Sequence, residues 1–209
     1  MTISGEPPAI GATVWLTGLP SAGKTTLAGA LAARLTAAGR AVEILDGDAV
    51  RPILSPELGY SRADRDANVA RIGWVASRLA RHGVLAPASV VSPYAQARDD
   101  LRSLHEREYI RFLEVHVATP VAVCAERDVK GLYAKALKGE ITGFTGVSDP
   151  YEPPQSPEIY IDTMNQNPDE SLQMILNQLG EMGYIDETKR LVQTPQAHSG
   201  YTDLRKVEG

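Results

Sequence analysis

Apolar runs of five to eight residues alternate along this chain with longer segments whose apolar positions recur every three or four residues. That alternation predicts a parallel sheet covered by helices. Strands are expected over Ala12 to Thr17, Ala41 to Leu45, Val84 to Val91 (with Pro87 inside it), Phe112 to Ala118 and Glu158 to Asp162, a sheet of about five strands. Helices are expected over Lys24 to Ala38, Arg62 to His82 and Gln96 to Glu108, and over a stretch from Asn167-Pro168 to Glu181. Gly39 and Gly83 are placed to end the first two, and Ser61, followed by Asp64 and Asp66, to start the second. Thr119-Pro120 reads as a cap with proline at the first helical position.

From Asp128 to Pro157 the periodicity lapses into glycines, lysines and the Pro153-Pro154 pair, the composition of a long functional loop or lid. Residues 1–185 are expected to form one domain, and Asp186 to Gly209, polar and irregular, a flexible or partner-packed tail. There is no internal repeat.

Composition narrows the class without naming it. At 209 residues, with 43% hydrophobic and 22% charged, the chain suits a single α/β domain. Its net charge of −5 supplies no global basic field, which argues against a nucleic-acid partner. Cys124, the one cysteine, rules out an intrachain disulfide, and its apolar neighbours Val121 to Ala125 mark it as a packing residue. Apolar runs are too short for a membrane span, and Met1 to Gly11 carries no apolar signal core, so a cytoplasmic location with no membrane partner is expected. His82, His105, His116 and His198 show no metal-ligand spacing.

Gly18-Leu19-Pro20-Ser21-Ala22-Gly23-Lys24-Thr25 fits the pattern G-x-x-x-x-G-K-[ST], set between a predicted strand and a predicted helix. Backbone N–H groups of such a loop converge on phosphate oxygens, and the helix start adds partial positive charge. Lys24 would neutralise the β- and γ-phosphates and Thr25 would offer its hydroxyl to Mg²⁺. The motif points to ATP and Mg²⁺ and is silent about the acceptor.

Asp46-Gly47-Asp48 with Arg51 follows the second strand, and carboxyl ends of neighbouring parallel strands share one crevice. A carboxylate there can take a hydroxyl proton or hold water on Mg²⁺, and the arginine can fork onto an anion; an Asp-Gly turn with a surface arginine is the plainer alternative. Asp64, Arg65 and Asn68 fall within one helical turn, able to bind an anionic nucleotide or simply to form a solvated charged face.

Taken together, these segments resemble the adenylylsulfate kinase family from about Thr13 to Ile185. The resemblance rests on the phosphate loop, Asp46-Gly47-Asp48 with Arg51, Gly59-Tyr60-Ser61 with Asp64-Arg65 and Asn68, and Val91-Ser92-Pro93-Tyr94. Its most specific part is the lid: Arg127-Asp128-Val129-Lys130-Gly131-Leu132-Tyr133, then Gly143-Phe144-Thr145-Gly146 and Asp149-Pro150-Tyr151-Glu152. It implies a P-loop kinase fold and transfer of the γ-phosphate of ATP to the 3′-hydroxyl of adenosine 5′-phosphosulfate (APS). Asp48 takes the place of a candidate base, and Arg51, Arg65, Asn68, Val91 and Leu132 those of substrate-binding residues. Tyr60, where the family usually has phenylalanine, would sandwich the substrate adenine with Phe144. Lys130 would lie near the transferred group, and Thr26 and Arg127 would join the ATP site. Ser92 aligns with a serine described in the family as a phosphoserine intermediate, a covalent step that direct in-line transfer does not need.

Pro20 and Ala22 replace the Ser and Gly common in the loop, and Ala95 stands where many relatives carry arginine, leaving open whether Arg98 compensates. A kinase for another small hydroxylated metabolite is one alternative. A non-catalytic nucleotide sensor attached to a sulfate-activating enzyme is another, opposed by the presence of Lys24, Thr25 and Asp48. The resemblance also implies a homodimer and allows an ATP sulfurylase partner.

Overall fold

Every residue of β1 (Ala12–Thr17) is buried, because both of its faces are covered. Val14 and Leu16 enter one apolar cluster and Trp15 the other, as the two-residue period of a strand requires. The computed structural model describes residues 11–185. The expectations for the N-terminal stretch up to Ile10 and for the 186–209 tail lie outside the described residues.

The remaining elements are α1 (Lys24–Ala37), β2 (Leu45–Asp46), α2 (Gly47–Leu54), α3 (Arg62–Arg81), β3 (Leu85–Ser89) and α4 (Ala95–Arg107). They continue with β4 (Arg111–Val117), α5 (Val121–Arg127), α6 (Leu132–Leu137), β5 (Ile159–Ile161) and α7 (Pro168–Glu181). The five strands lie in the order β2-β3-β1-β4-β5, all parallel, with β1 central. Helices α1 and α7 pack on the Val14 face, α3 on the Trp15 face, with α4 against α3. Gly73 allows that last contact, since a Cβ there would stand 2.2 Å from Leu101 Cδ2.

Helix boundaries follow local chemistry. Ser61 and Asp64 form a capping box at the start of α3, and Asn167 and Glu170 form another on α7 with Pro168 in its first turn.

Four expectations needed correction. Strand β2 is shorter than 41–45 predicts: Val42 makes an isolated bridge to Leu85, and pairing resumes only at Leu45. The gap has a cause. Leu85 exchanges bonds with Ala41 and Glu43, so Pro87, two residues on, faces the same neighbour without an N–H to give. Helix α2 occupies what reads as a turn; Asp46 caps it by accepting from the N–H groups of Asp48 (3.0 Å) and Ala49 (3.3 Å). Pro120 is the N-cap of α5 rather than its first helical residue, and the Thr119 hydroxyl donates instead to the Ala22 carbonyl at 2.9 Å. Finally, the lid is not all loop, since α6 lies within it, started by the Asp128 carboxylate accepting from the N–H groups of Tyr133 (2.9 Å) and Ala134 (3.0 Å).

No helix among the described residues is long and apolar enough to cross a membrane.

Candidate active site

The loop from Gly18 to Gly23 turns sharply between β1 and α1 through left-handed backbone at Ser21 (φ 61°) and Gly23 (φ 105°). Gly18 is required by space: a Cβ there would stand 2.6 Å from the Val117 carbonyl oxygen. No side chain caps the start of α1 and no acidic residue occupies its first turn, so the free N–H groups keep their partial positive charge. The Lys24 ammonium folds back under the loop, donating to the carbonyls of Gly18 (2.9 Å) and Leu19 (2.7 Å). Burial pushes its pKa down to about 8 against the pull of Asp48 and Asp46, which leaves it mostly protonated at pH 7.

Thr25, next in the chain, donates its hydroxyl hydrogen to Asp46 Oδ2 at 2.6 Å and lies 3.1 Å from the Ser89 hydroxyl. The ends of β2 and β3 thus bring a carboxylate and a second hydroxyl to the residue chosen from sequence as metal-binding. An all-oxygen set beside a phosphate loop suits Mg²⁺, which takes one or two protein ligands and keeps waters. Asp46 and Ser89 were missing from the sequence-derived site. Asp46 was legible as one of the two carboxylates in its turn, whereas Ser89 carries no local signal.

Leu19 and Ala22 are buried within the loop, Pro20 and Ser21 are partly covered, and Thr26 is exposed on α1. Arg127, at the end of α5, reaches the loop with Nη1 3.3 Å from the Ala22 carbonyl.

Beyond β2, the Asp48 carboxylate, on α2, pairs with the Lys130 ammonium from the 128–157 segment, both well exposed. One turn on, Arg51 donates to the carbonyls of Gly59 and Leu58, and its guanidinium lies 4.5 Å from the Tyr60 ring centroid. Arg65 donates to the Tyr60 carbonyl at 2.9 Å, to the Thr145 hydroxyl at 2.8 Å and to the Gly143 carbonyl, so it ties α3 to the lid. Asn68 turns inward on α3; its Oδ1 is buried with no hydrogen-bond partner among the described residues. Tyr60 is 68% exposed, while Phe144 is buried with Tyr133 edge-on at 4.9 Å. The two rings expected to sandwich a base are linked here through Arg65, which bonds the Tyr60 carbonyl and the Gly143 and Thr145 groups that flank Phe144. Leu132 opens α6 and packs against the core.

Beyond β3, Val91 accepts the Thr17 hydroxyl on its carbonyl at 2.8 Å. Ser92 is buried, with backbone in the left-handed region (φ 40°); its hydroxyl accepts from Trp15 Nε1 at 3.0 Å and donates to Thr17 Oγ1 at 2.9 Å. Arg98 points inward and pairs with Glu114 at 2.8 Å, so it does not take the outward place that Ala95 leaves.

A cavity of about 680 Å³ opens between Leu19, the turn after β4 and the lid's return, with His116, Thr119, Gly146 and Tyr151 in its wall. His116 stacks against Tyr151 at 5.9 Å, and burial with the nearby Arg98 charge lowers its pKa to about 4. Cys124 is buried in the core, its thiol 3.7 Å from the Thr119 carbonyl.

A family model described as Adenylylsulphate kinase matches residues 10–162. An adenylyl-sulfate kinase of Synechococcus sp. (strain JA-3-3Ab) is 51% identical over 175 residues, covering 84% of this chain and 97% of the relative. A probable bifunctional SAT/APS kinase of Sorangium cellulosum is 50% identical over 84% of this chain, which spans 29% of that longer protein. The solved Mycobacterium tuberculosis APS kinase, in complex with AMPPNP and APS, superposes with a TM-score of 0.80 at 41% identity, covering 82% of this chain and 99% of that one. The phosphate loop, Arg51, Arg65 and the segment 128–157 thus belong to a chain that is a member of the adenylylsulfate kinase family.

Proposed function

We propose that this chain is an adenylyl-sulfate kinase, transferring the γ-phosphate of ATP to the 3′-hydroxyl of APS and releasing ADP and 3′-phosphoadenosine 5′-phosphosulfate. The observation that carries the reading is the convergence of Lys24, the Thr25–Asp46 pair and the Asp48–Lys130 pair at the carboxyl ends of β1 and β2. Donor and acceptor machinery face each other there across one crevice.

In this reading the loop amides and Lys24 hold the β- and γ-phosphates, with Arg127 and Thr26 beside the nucleotide. Mg²⁺, held by Thr25 with Asp46 in support, would neutralise charge on the phosphate oxygens. Arg51, Arg65 and Asn68 grip the acceptor nucleotide, Val91 and Ser92 shape the floor beneath it, and Tyr60 and Phe144 with Leu132 enclose its base. Asp48 accepts the proton as the 3′-oxygen bonds to phosphorus and the bond to the β–γ bridging oxygen breaks. Lys130 supplies positive charge from the lid, and the lid's closure excludes water. Ser92 acts here as a positioning group, with no covalent step. Residues 1–185 form the kinase unit with 128–157 as its lid. It works in the cytoplasm as a homodimer, and the bifunctional relative supports a sulfurylase partner.

The test is a comparison of ADP release with APS and with a panel of nucleosides and sugars, using Lys24→Ala as the control. APS-dependent release lost in the variant supports the reading; equal or greater rates with another acceptor refute it.

A further inference from the structure

Each of the three guanidinium nitrogens of Arg98, a side chain only 2% exposed, donates a hydrogen bond. Nε donates to Glu114 at 2.8 Å, Nη1 to the Ser92 carbonyl at 2.7 Å and Nη2 to the Glu152 carbonyl at 2.6 Å. Glu114 is held in turn by Arg102 at 3.3 Å, and Arg102 also pairs with Glu158. A buried ion pair is a poor source of stability, since a packed apolar pair of the same volume commonly does as well. What an arginine adds is a rigid planar fork of five N–H donors, here directed from all three nitrogens.

The two carbonyls it grips belong to the two halves of the acceptor side. Ser92 is the left-handed turn after β3, a conformation a non-glycine residue keeps only when its surroundings hold it. Glu152 lies on the trailing leg of the lid. The same two segments meet again around Arg98. Glu152 donates its N–H to the Pro93 carbonyl and accepts the Ala95 N–H on its carboxylate, both at 2.7 Å, while Tyr94 donates to Asp149 at 2.7 Å. The rest of the lid meets the site through exposed or part-buried contacts, Lys130 with Asp48 and Arg65 with Gly143 and Thr145. Tyr133, Ala136 and Phe144 pack the lid's leading part into the core, and Asp149 of the trailing leg donates its N–H to the Phe144 carbonyl, so the leg that Arg98 holds is joined directly to Phe144.

We infer that Arg98 is a positioning residue for the acceptor nucleotide: it locks the Ser92 turn and the lid's trailing leg into one body, and so sets where Phe144 and Thr145 come to rest over the substrate. It touches no substrate itself. The inference rests on the function proposed above; the Ser92 turn also bonds Thr17 just before the phosphate loop, but Arg98 grips only the Ser92 turn and the lid, so its effect falls chiefly on APS and less on ATP.

The experiment uses the full chain and two variants. Arg98→Lys keeps the charge against Glu114 but loses the fork; the double variant Arg98→Met with Glu114→Met replaces the ion pair by apolar volume and guards against misfolding. Initial rates with each substrate varied in turn are expected to show kcat/KM for APS lowered about tenfold or more, with KM for ATP changed less than about twofold. Hydrogen exchange of the protein alone is expected to quicken at residues 92–95 and 149–152 and to stay unchanged in β1 and α1. Wild-type exchange in those segments, or an equal fall for both substrates, would overturn the proposal. The exchange arm needs no APS: wild type failing to phosphorylate APS would refute the functional reading, while exchange would still decide the anchor.

Discussion

Thr25 and Asp46 are joined by a hydrogen bond of 2.6 Å that links the first turn of α1 to the end of β2. The same carboxylate, through Oδ1, caps α2 and so fixes the helix that carries Asp48 and Arg51. One side chain thereby ties the proposed metal position to the proposed acceptor wall.

Asn serves as an N-cap about as well as Asp, so Asp46→Asn separates these two duties. It is expected to leave the thermal midpoint nearly unchanged while raising the Mg²⁺ requirement and lowering kcat on the order of 10²-fold. Asp46→Ala should show the same kinetic loss and in addition cost about 1 kcal/mol of stability. Magnesium titrations with thermal unfolding of both variants check this.

Asp48→Asn removes a candidate base from an exposed pair. Surface pairs of this kind contribute about 0–1 kcal/mol, so stability should hold while kcat falls by roughly 10²–10⁴. A fall in stability with little change in kcat would move Asp48 from chemistry to structure.

Lys24 has a folded pKa of about 8, below its ordinary value of 10.5, because of burial. Between those two values the unfolded chain binds more protons than the folded one, so this group makes the fold more stable as pH rises through that window. Activity should move the other way, since kcat/KM for ATP needs the ammonium and should fall as pH passes about 8. Lys24→Met should remove the stability trend and, like Lys24→Ala, the activity itself.

His116 contributes with the same sign at the acid end. Its folded pKa of about 4 lies below the ordinary 6.5, so stability from its neutral form is present above pH 6.5 and is lost as pH falls towards 4. The loss is on the order of 2–3 kcal/mol. His116→Gln should flatten this part of the stability profile in denaturant unfolding across pH 4–7.

Two helical glycines should respond with opposite sign to alanine. Gly73→Ala drives a Cβ into Leu101 and should cost about 1–3 kcal/mol. Gly29→Ala, where nothing lies within 4 Å, should gain roughly 0.5–1 kcal/mol.

What was legible in the sequence follows the range of the physics behind each feature. The phosphate loop was readable because its requirements are local: glycine where backbone must turn or approach closely, lysine and threonine at fixed offsets. The helix starts at Ser61 and Asn167 were readable for the same reason. Helix α2 was hidden by Gly47 and Pro52, which read as turn residues, and α6 by the glycines on either side of it. The site's long-range contacts had no local trace: Ser92 meets Trp15 across 77 positions, and Arg98 meets Glu152 across 54. The direction of Arg98 could not be told from the alanine at 95, because it depends on Glu114 lying beneath it in β4.

The central claim is that the lid with Arg51, Arg65 and Asn68 selects APS as acceptor. Mass analysis of the products after incubation with ATP, Mg²⁺ and APS tests it most directly. One 3′-phosphorylated APS formed for each ADP released is the predicted result; ADP formed at the same rate without APS, or APS recovered unphosphorylated, would contradict it.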